Sequence, residues 1–151
     1  MANRQEVHSA VASDDVARLR EYVENRPESI QERDRDGCTP LLVAARDGRL
    51  EAVKILVELG AEIEARDPIY LRTPLAWASF HAHPEVAEFL LRSGADVNAA
   101  DAYGNTPLKT ATMGREGAWD EWVPYSSHEY EALVDLLRNH GATERHDLKG
   151  E

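Results

Sequence analysis

Apolar residues recur along the chain in pairs of short blocks, each at helical spacing. After Thr39-Pro40, Leu41, Ala44 and Ala45 share one helix face, and after Gly48 the residues Val53, Leu56 and Val57 repeat the pattern. Thr before Pro supplies an N-cap oxygen, and Pro at the first helical position gives up no donor the helix needs. Gly48 offers a left-handed stop between the two blocks. Gly60 ends the second block, and the polar stretch Ala61 to Asp67 leads through an extended turn to the next Thr-Pro. The predicted unit is helix, turn, helix, then a projecting hairpin-like loop.

The unit repeats. Thr-Pro-Leu occurs at Thr39–Leu41, Thr73–Leu75 and Thr106–Leu108, at intervals of 34 and 33 residues. Gly-Ala closes each apolar stretch at Gly60-Ala61, Gly94-Ala95 and Gly141-Ala142. A degenerate first unit precedes them. Val7 falls in register with Leu41, Ala10 with Ala44, Asp14 with Gly48, and Leu19, Tyr22 and Val23 with Val53, Leu56 and Val57. It lacks Thr-Pro, and Pro27 follows its second block. A polar, atypical first unit is what a cap requires, because its outer side has no neighbour. One domain is therefore expected over 1–143, with units at about 4–36, 37–70, 71–103 and 104–143, and a polar tail over 144–151 that has little to pack against.

The segment Gly94-Ala-Asp-Val-Asn-Ala-Ala-Asp-Ala-Tyr-Gly-Asn-Thr-Pro-Leu108 resembles the inter-repeat pattern of the ankyrin-repeat family, and the likeness covers roughly residues 7–143. It implies an all-α solenoid of stacked helix-turn-helix units with projecting hairpin loops. The inner helices and hairpins would form a concave face. The function it implies is non-enzymatic binding of a partner protein.

Two departures from the repeat stand out. The hairpin from Asp67 to Thr73 is six positions long, against five for Asp34 to Thr39 and Asp101 to Thr106, and it lacks their Gly. Of its apolar residues Ile69, Tyr70 and Leu71, one or two fold onto the neighbouring hairpin, or Ile69 or Tyr70 anchors a partner. The second departure lies in the last unit. Leu108 to Gly141 spans 33 positions against 19 in the two preceding units, so 14 additional residues sit at about 114–127. They include Trp119, Trp122 and Tyr125. Folded over the open flank, the rings would cap the core; projecting, they would bind a partner or a second copy. Ser126 and Glu129 have the spacing of a capping box for a lengthened last helix.

Charge bears on the partner. Twenty-eight Asp and Glu against 17 Lys and Arg leave a net charge of -11 in 151 residues. That balance opposes nucleic-acid binding, which needs a cationic face, and suits a basic protein; the alternative to a simple binding module is a stoichiometric inhibitor or immunity-type antagonist of a basic enzyme. A single cysteine, Cys38, excludes an intrachain disulfide. It lies just before Thr39 and is expected to be partly exposed. No apolar run is long enough to span a bilayer, no apolar leader opens the chain, and a cytoplasmic setting and a monomer are expected.

Candidate chemistry thins out on inspection. His128-Glu129 begins like a zinc-protease motif, but Ala132 stands where the second histidine is needed. His81 and His83, two apart, would diverge on a helix. His83 in Ala82-His83-Pro84-Glu85-Val86 resembles the family's turn-stabilising histidine, and His8 resembles its Thr-Pro-Leu-His histidine. No catalytic, cofactor or metal-ligating set is predicted. The resemblance carries partner contacts onto Arg35, Asp36, Arg46 and Asp47 of the second unit, Ile69, Tyr70, Arg72, Phe80 and His81 of the third, and Tyr103, Asn105 and Met113 of the fourth. Cys38 stands beside them. Trp77 matches a semi-buried leucine position, so it is core first and contact second. Tyr70, Phe80 and Tyr103 would serve as anchors, with Arg35, Arg46 and Arg72 as hydrogen-bond donors to the partner. Trp119, Trp122 and Tyr125 form a secondary candidate.

Overall fold

The computed structural model describes residues 5–118 and 127–143. Eight α-helices are present among them and no strand: α1 (Glu6–Ala12), α2 (Val16–Asn25), α3 (Pro40–Arg46), α4 (Leu50–Glu58), α5 (Pro74–Phe80), α6 (Pro84–Arg92), α7 (Pro107–Arg115) and α8 (Ser127–Asn139). A 3-10 turn, Pro27–Gln31, follows α2. The helices form two rows. α1, α3, α5 and α7 stack in succession, and α2, α4, α6 and α8 stack behind them, each helix also packing on its own partner in the pair.

The second, third and fourth pairs begin with the same local event. Thr39, Thr73 and Thr106 accept the N–H of Leu42, Ala76 and Lys109 on their hydroxyl oxygens at 3.3, 3.2 and 3.3 Å, and Pro occupies the first helical position each time. Small buried residues then let the front row approach closely: Ala44 and Ala45 in α3, Ala78 and Ser79 in α5, and Ala111 in α7. Leu41, Leu75 and Leu108 supply the buried bulk from equivalent positions, and Val53, Leu56, Val86, Leu90, Leu133 and Leu137 supply it from the back row.

The turn between the two helices of a pair needs a left-handed residue. Gly48 (φ 69) fills it in the second unit, while Asp14 (φ 54) and Ala82 (φ 53) hold the same conformation in the first and third. His83 closes the third unit's turn by reaching back: its Nε2 lies 3.0 Å from the Arg46 carbonyl. A side chain on Gly48 would collide with that imidazole. His8, within α1, lies 2.7 Å by its Nε2 from the Glu32 carbonyl after the 3-10 turn.

The hairpins are organised by three equivalent aspartates. Asp34 accepts the N–H groups of Asp36 and Cys38, and Asp101 those of Tyr103 and Asn105. Arginines preceding two of the aspartates stitch successive hairpins together. Arg33 donates to the Arg66 carbonyl at 3.0 Å, and Arg66 donates to Leu71 and Ala100 carbonyls at 2.7 Å each. At the third position stands Ala100.

The last unit departs where the additional residues enter. α7 has nine residues against seven in α3 and α5, and α8 has 13 against nine in α4 and α6. Gly114 and Arg115 thus belong to α7. Trp119, Trp122, Tyr125 and the capping residue Ser126 lie outside the described residues, as do the tail residues 144–151.

Two expectations are corrected. Cys38 is 6% exposed, because the hairpin folds its side chain onto the core; burial first, then the Asp34 carboxylate, pushes the thiol up to about 11. His81 and His83 do not diverge. They cap the end of α5 and the start of α6 rather than share a helix, and with left-handed Ala82 between them their rings stack at 6.3 Å.

Candidate functional site

The longer hairpin, 67–73, is built around a buried carboxylate. Asp67 is 2% exposed and accepts four hydrogen bonds: from the N–H groups of Ile69 (2.9 Å), Tyr70 (2.6 Å) and Arg72 (2.8 Å), and from Trp77 Nε1 (3.1 Å). The loop's tightest turn falls at Leu71, whose φ of 53° is the left-handed conformation that Gly37 and Gly104 adopt in the other hairpins. An L-residue is disfavoured there. The Arg66 guanidinium holds the strained carbonyl of Leu71 in place.

Beneath this loop lies Arg72. Its side chain is buried, and Nε donates to Asp101 Oδ2 at 3.4 Å, bridging to the next unit. The guanidinium carbon sits 4.8 Å from the Tyr70 ring centre, 4.8 Å from Trp77 and 4.4 Å from Phe80. The expectation that Arg72 donates outward to a partner is therefore corrected. Its charge is satisfied internally by one carboxylate and three ring faces.

Those rings continue into one cluster. Tyr70 meets Trp77 edge-on at 5.9 Å and lies tilted against Tyr103 at 6.4 Å. Trp77 meets Phe80 edge-on at 6.0 Å and stacks on His81 at 5.8 Å. Burial, then the neighbouring His83 and Arg46, pushes the His81 imidazole down to about 4. The backbone joins the same units, since Ala102 N–H donates to the Tyr70 carbonyl at 2.8 Å.

The other sequence-derived residues spread along the same side. Arg35 and Asp36 are exposed on the first hairpin. Arg46 and Asp47 pair with each other at 3.0 Å at the end of α3. Asn105 and Met113 are half-buried, Asn105 with its N–H on Asp101. Ile69 and Tyr103 are 66% and 70% exposed. Trp77 is half-buried, packed on the core and central to the rings. In the sequence Asp67 and Asp101 mark only the length of the hairpins. Their recurrence at the start of each hairpin was the available signal for a structural role. Among the described residues no cluster of His, Cys, Asp and Glu has the makings of a metal site, and no helix is long and apolar enough to cross a membrane.

Stacked helix pairs with a face of hairpins and front-row helices define a helical repeat protein. A sequence model of ankyrin repeats, in three copies, matches residues 7–101. The chain belongs to the ankyrin-repeat family. It is 31% identical over 103 residues to rat "Ankyrin repeat and SAM domain-containing protein 6", covering 68% of this chain and 12% of that protein. It is 34% identical over 93 residues to mouse "Protein phosphatase 1 regulatory subunit 27", covering 62% of this chain and 60% of that one. A third similarity, 44% over 71 residues, is to "BRCA1-associated RING domain protein 1" of Caenorhabditis elegans, with 47% and 10% covered. Ankyrin repeats generally mediate protein–protein interaction, and the family is typically non-enzymatic.

Proposed function

We propose that the chain is a non-enzymatic recognition module that holds a partner protein on its hairpins and front-row helices. The observation that carries this reading is the ring cluster of Tyr70, Trp77, Phe80 and Tyr103, built across two consecutive units and ending in an exposed tyrosine. Aromatic side chains fixed in advance lose little conformational entropy on binding, which is the chemistry of interface hot spots. Arg35 and Asp36 extend the surface on the first hairpin. A basic partner suits the net charge of -11.

A second, narrower reading is a stoichiometric regulator of an enzyme. The similarity to a protein named as a phosphatase regulatory subunit supports it. Adding the purified chain to a co-purifying enzyme tests this: a one-to-one change in activity supports regulation, and unchanged activity contradicts it.

The main reading is tested by affinity capture with the tagged chain and with Tyr70→Ala and Phe80→Ala, folding being checked by circular dichroism. Loss of the captured protein in the folded variants is the expected result. Equal capture by both would move the site elsewhere.

A further inference from the structure

A row of near-parallel rings crosses the turn between α5 and α6. Trp77 stacks on His81 at 5.8 Å and 15°, and His81 stacks on His83 at 6.3 Å and 21°. Both ends of the row are tied down. Trp77 Nε1 donates to Asp67 at 3.1 Å, and His83 Nε2 lies 3.0 Å from the Arg46 carbonyl of the preceding unit. His81 is the middle ring, and it also meets Phe80 edge-on at 5.1 Å.

The turn that carries the row is strained. His81 N–H donates to the Trp77 carbonyl at 3.1 Å and His83 N–H to the Ala78 carbonyl at 2.9 Å. Between them Ala82 holds φ at 53°, the left-handed conformation that an L-residue disfavours. Opening the turn relieves that strain and returns the His81 imidazole to water.

A protonated His81 would share rings that already face a cation. Trp77 and Phe80 lie 4.8 and 4.4 Å from the Arg72 guanidinium carbon. Charged groups face the two imidazoles from several elements: Arg46 and Asp47 at the end of α3, Arg72 from the hairpin, Glu85 from α6 and Glu129 from α8. Asp47 already pairs with Arg46, and Asp101 with Arg72. Burial, then His83 and Arg46, holds His81 down to about 4. The ordinary value is about 6.5, so the open turn takes up a proton that the closed one refuses, and opening is favoured as pH falls.

We propose that His81 is an acid-sensitive catch: proton uptake by its imidazole breaks the Trp77–His81–His83 row and opens the turn 81–83 while the rest of the solenoid stays folded. The opening loosens the ring cluster that runs from Trp77 through Tyr70 to Tyr103 on the next hairpin tip. Its bearing on binding rests on the reading that this cluster holds a protein partner: a seated partner keeps the turn shut, and acid works against the complex.

The test is amide hydrogen exchange of the full chain, read by NMR as protection factors. Between about pH 7 and about pH 5, protection of the His81 and His83 amides should fall about twentyfold in wild type. In His81→Gln, its folding verified by circular dichroism, that fall should be absent. Low, non-denaturing urea separates local from global opening, because only global opening exposes enough surface to respond. The His81 and His83 amides should be indifferent to it, whereas those of Leu19 and Val53, bonded within α2 and α4, should exchange faster. No fall in wild type, the same fall in His81→Gln, or a urea response matching that of Val53 would each overturn the catch. These outcomes are read without a partner and leave the binding reading untouched. In a second arm, excess captured protein at about pH 5 should restore protection of the two amides. Unchanged exchange in the saturated complex would overturn the link between catch and binding, and capture of no protein at either pH would overturn that link together with the binding reading, while the exchange result still decides the catch.

Discussion

The hydroxyl of Tyr130 in α8 donates a 2.7 Å hydrogen bond to the carbonyl of Phe80 at the end of α5. The last helix thus reaches across α7 to the preceding unit, and the ring that makes the crossing is buried. Space for it comes from Gly114. A Cβ at that position would lie 2.3 Å from the Tyr130 ring.

Gly114→Ala is accordingly expected to destabilise the chain, although alanine favours helix by about 1 kcal/mol over glycine. Overpacking against a ring that cannot withdraw costs about 1–3 kcal/mol, and the hydrogen bond to Phe80 resists withdrawal. Tyr130→Phe keeps the packing and should lose only about 0.5–1.5 kcal/mol. Urea titrations of both variants check the order.

Arg72→Met should be costlier than any tip substitution. It leaves the buried Asp101 carboxylate without its cation, a change worth about 3–5 kcal/mol for a buried pair. It also withdraws the charge from the faces of Tyr70, Trp77 and Phe80. Thermal unfolding measures the loss, and near-ultraviolet circular dichroism should report disordered rings. An unperturbed aromatic spectrum would contradict the role assigned to the guanidinium.

Leu71→Gly should stabilise the chain. Leu71 holds φ at 53°, where an L-residue costs about 1–2 kcal/mol and glycine forgoes part of that through its greater unfolded-state freedom. A net gain of about 0.5–1 kcal/mol is expected, read as a raised urea midpoint.

Acid should weaken the fold through the stacked histidines. His81 is pushed down to about 4, and burial lowers His83 as well. In the unfolded chain both titrate near about 6.5. Between about 6.5 and about 4 the unfolded chain therefore binds protons that the folded chain refuses, so stability falls as pH drops through that window. His81→Gln should flatten this part of the profile in thermal melts across pH.

The fold was legible because its signals are local. Thr39, Thr73 and Thr106 each cap a helix with a hydroxyl oxygen that accepts the N–H three residues on, and a local event repeated in register can be read from a linear sequence. The ring cluster was legible in membership but not in arrangement. Tyr70, Phe80 and Tyr103 could be placed on one face by the repeat, whereas the inward turn of Arg72 depends on a carboxylate 29 residues away in the next unit. Burial of Cys38 and stacking of His81 on His83 escaped prediction for the same reason. Both are fixed by contacts beyond the local sequence, and the histidine pair also by Ala82, a left-handed residue that is not glycine.

The face itself is tested most directly by comparing the two sides of the solenoid in one binding assay. With the captured partner titrated against Tyr103→Ala on the hairpin face and Glu51→Ala on the exposed side of α4, affinity should fall about tenfold in the first and stay unchanged in the second. Full affinity in Tyr103→Ala together with loss in Glu51→Ala would place recognition on the back row and contradict the account.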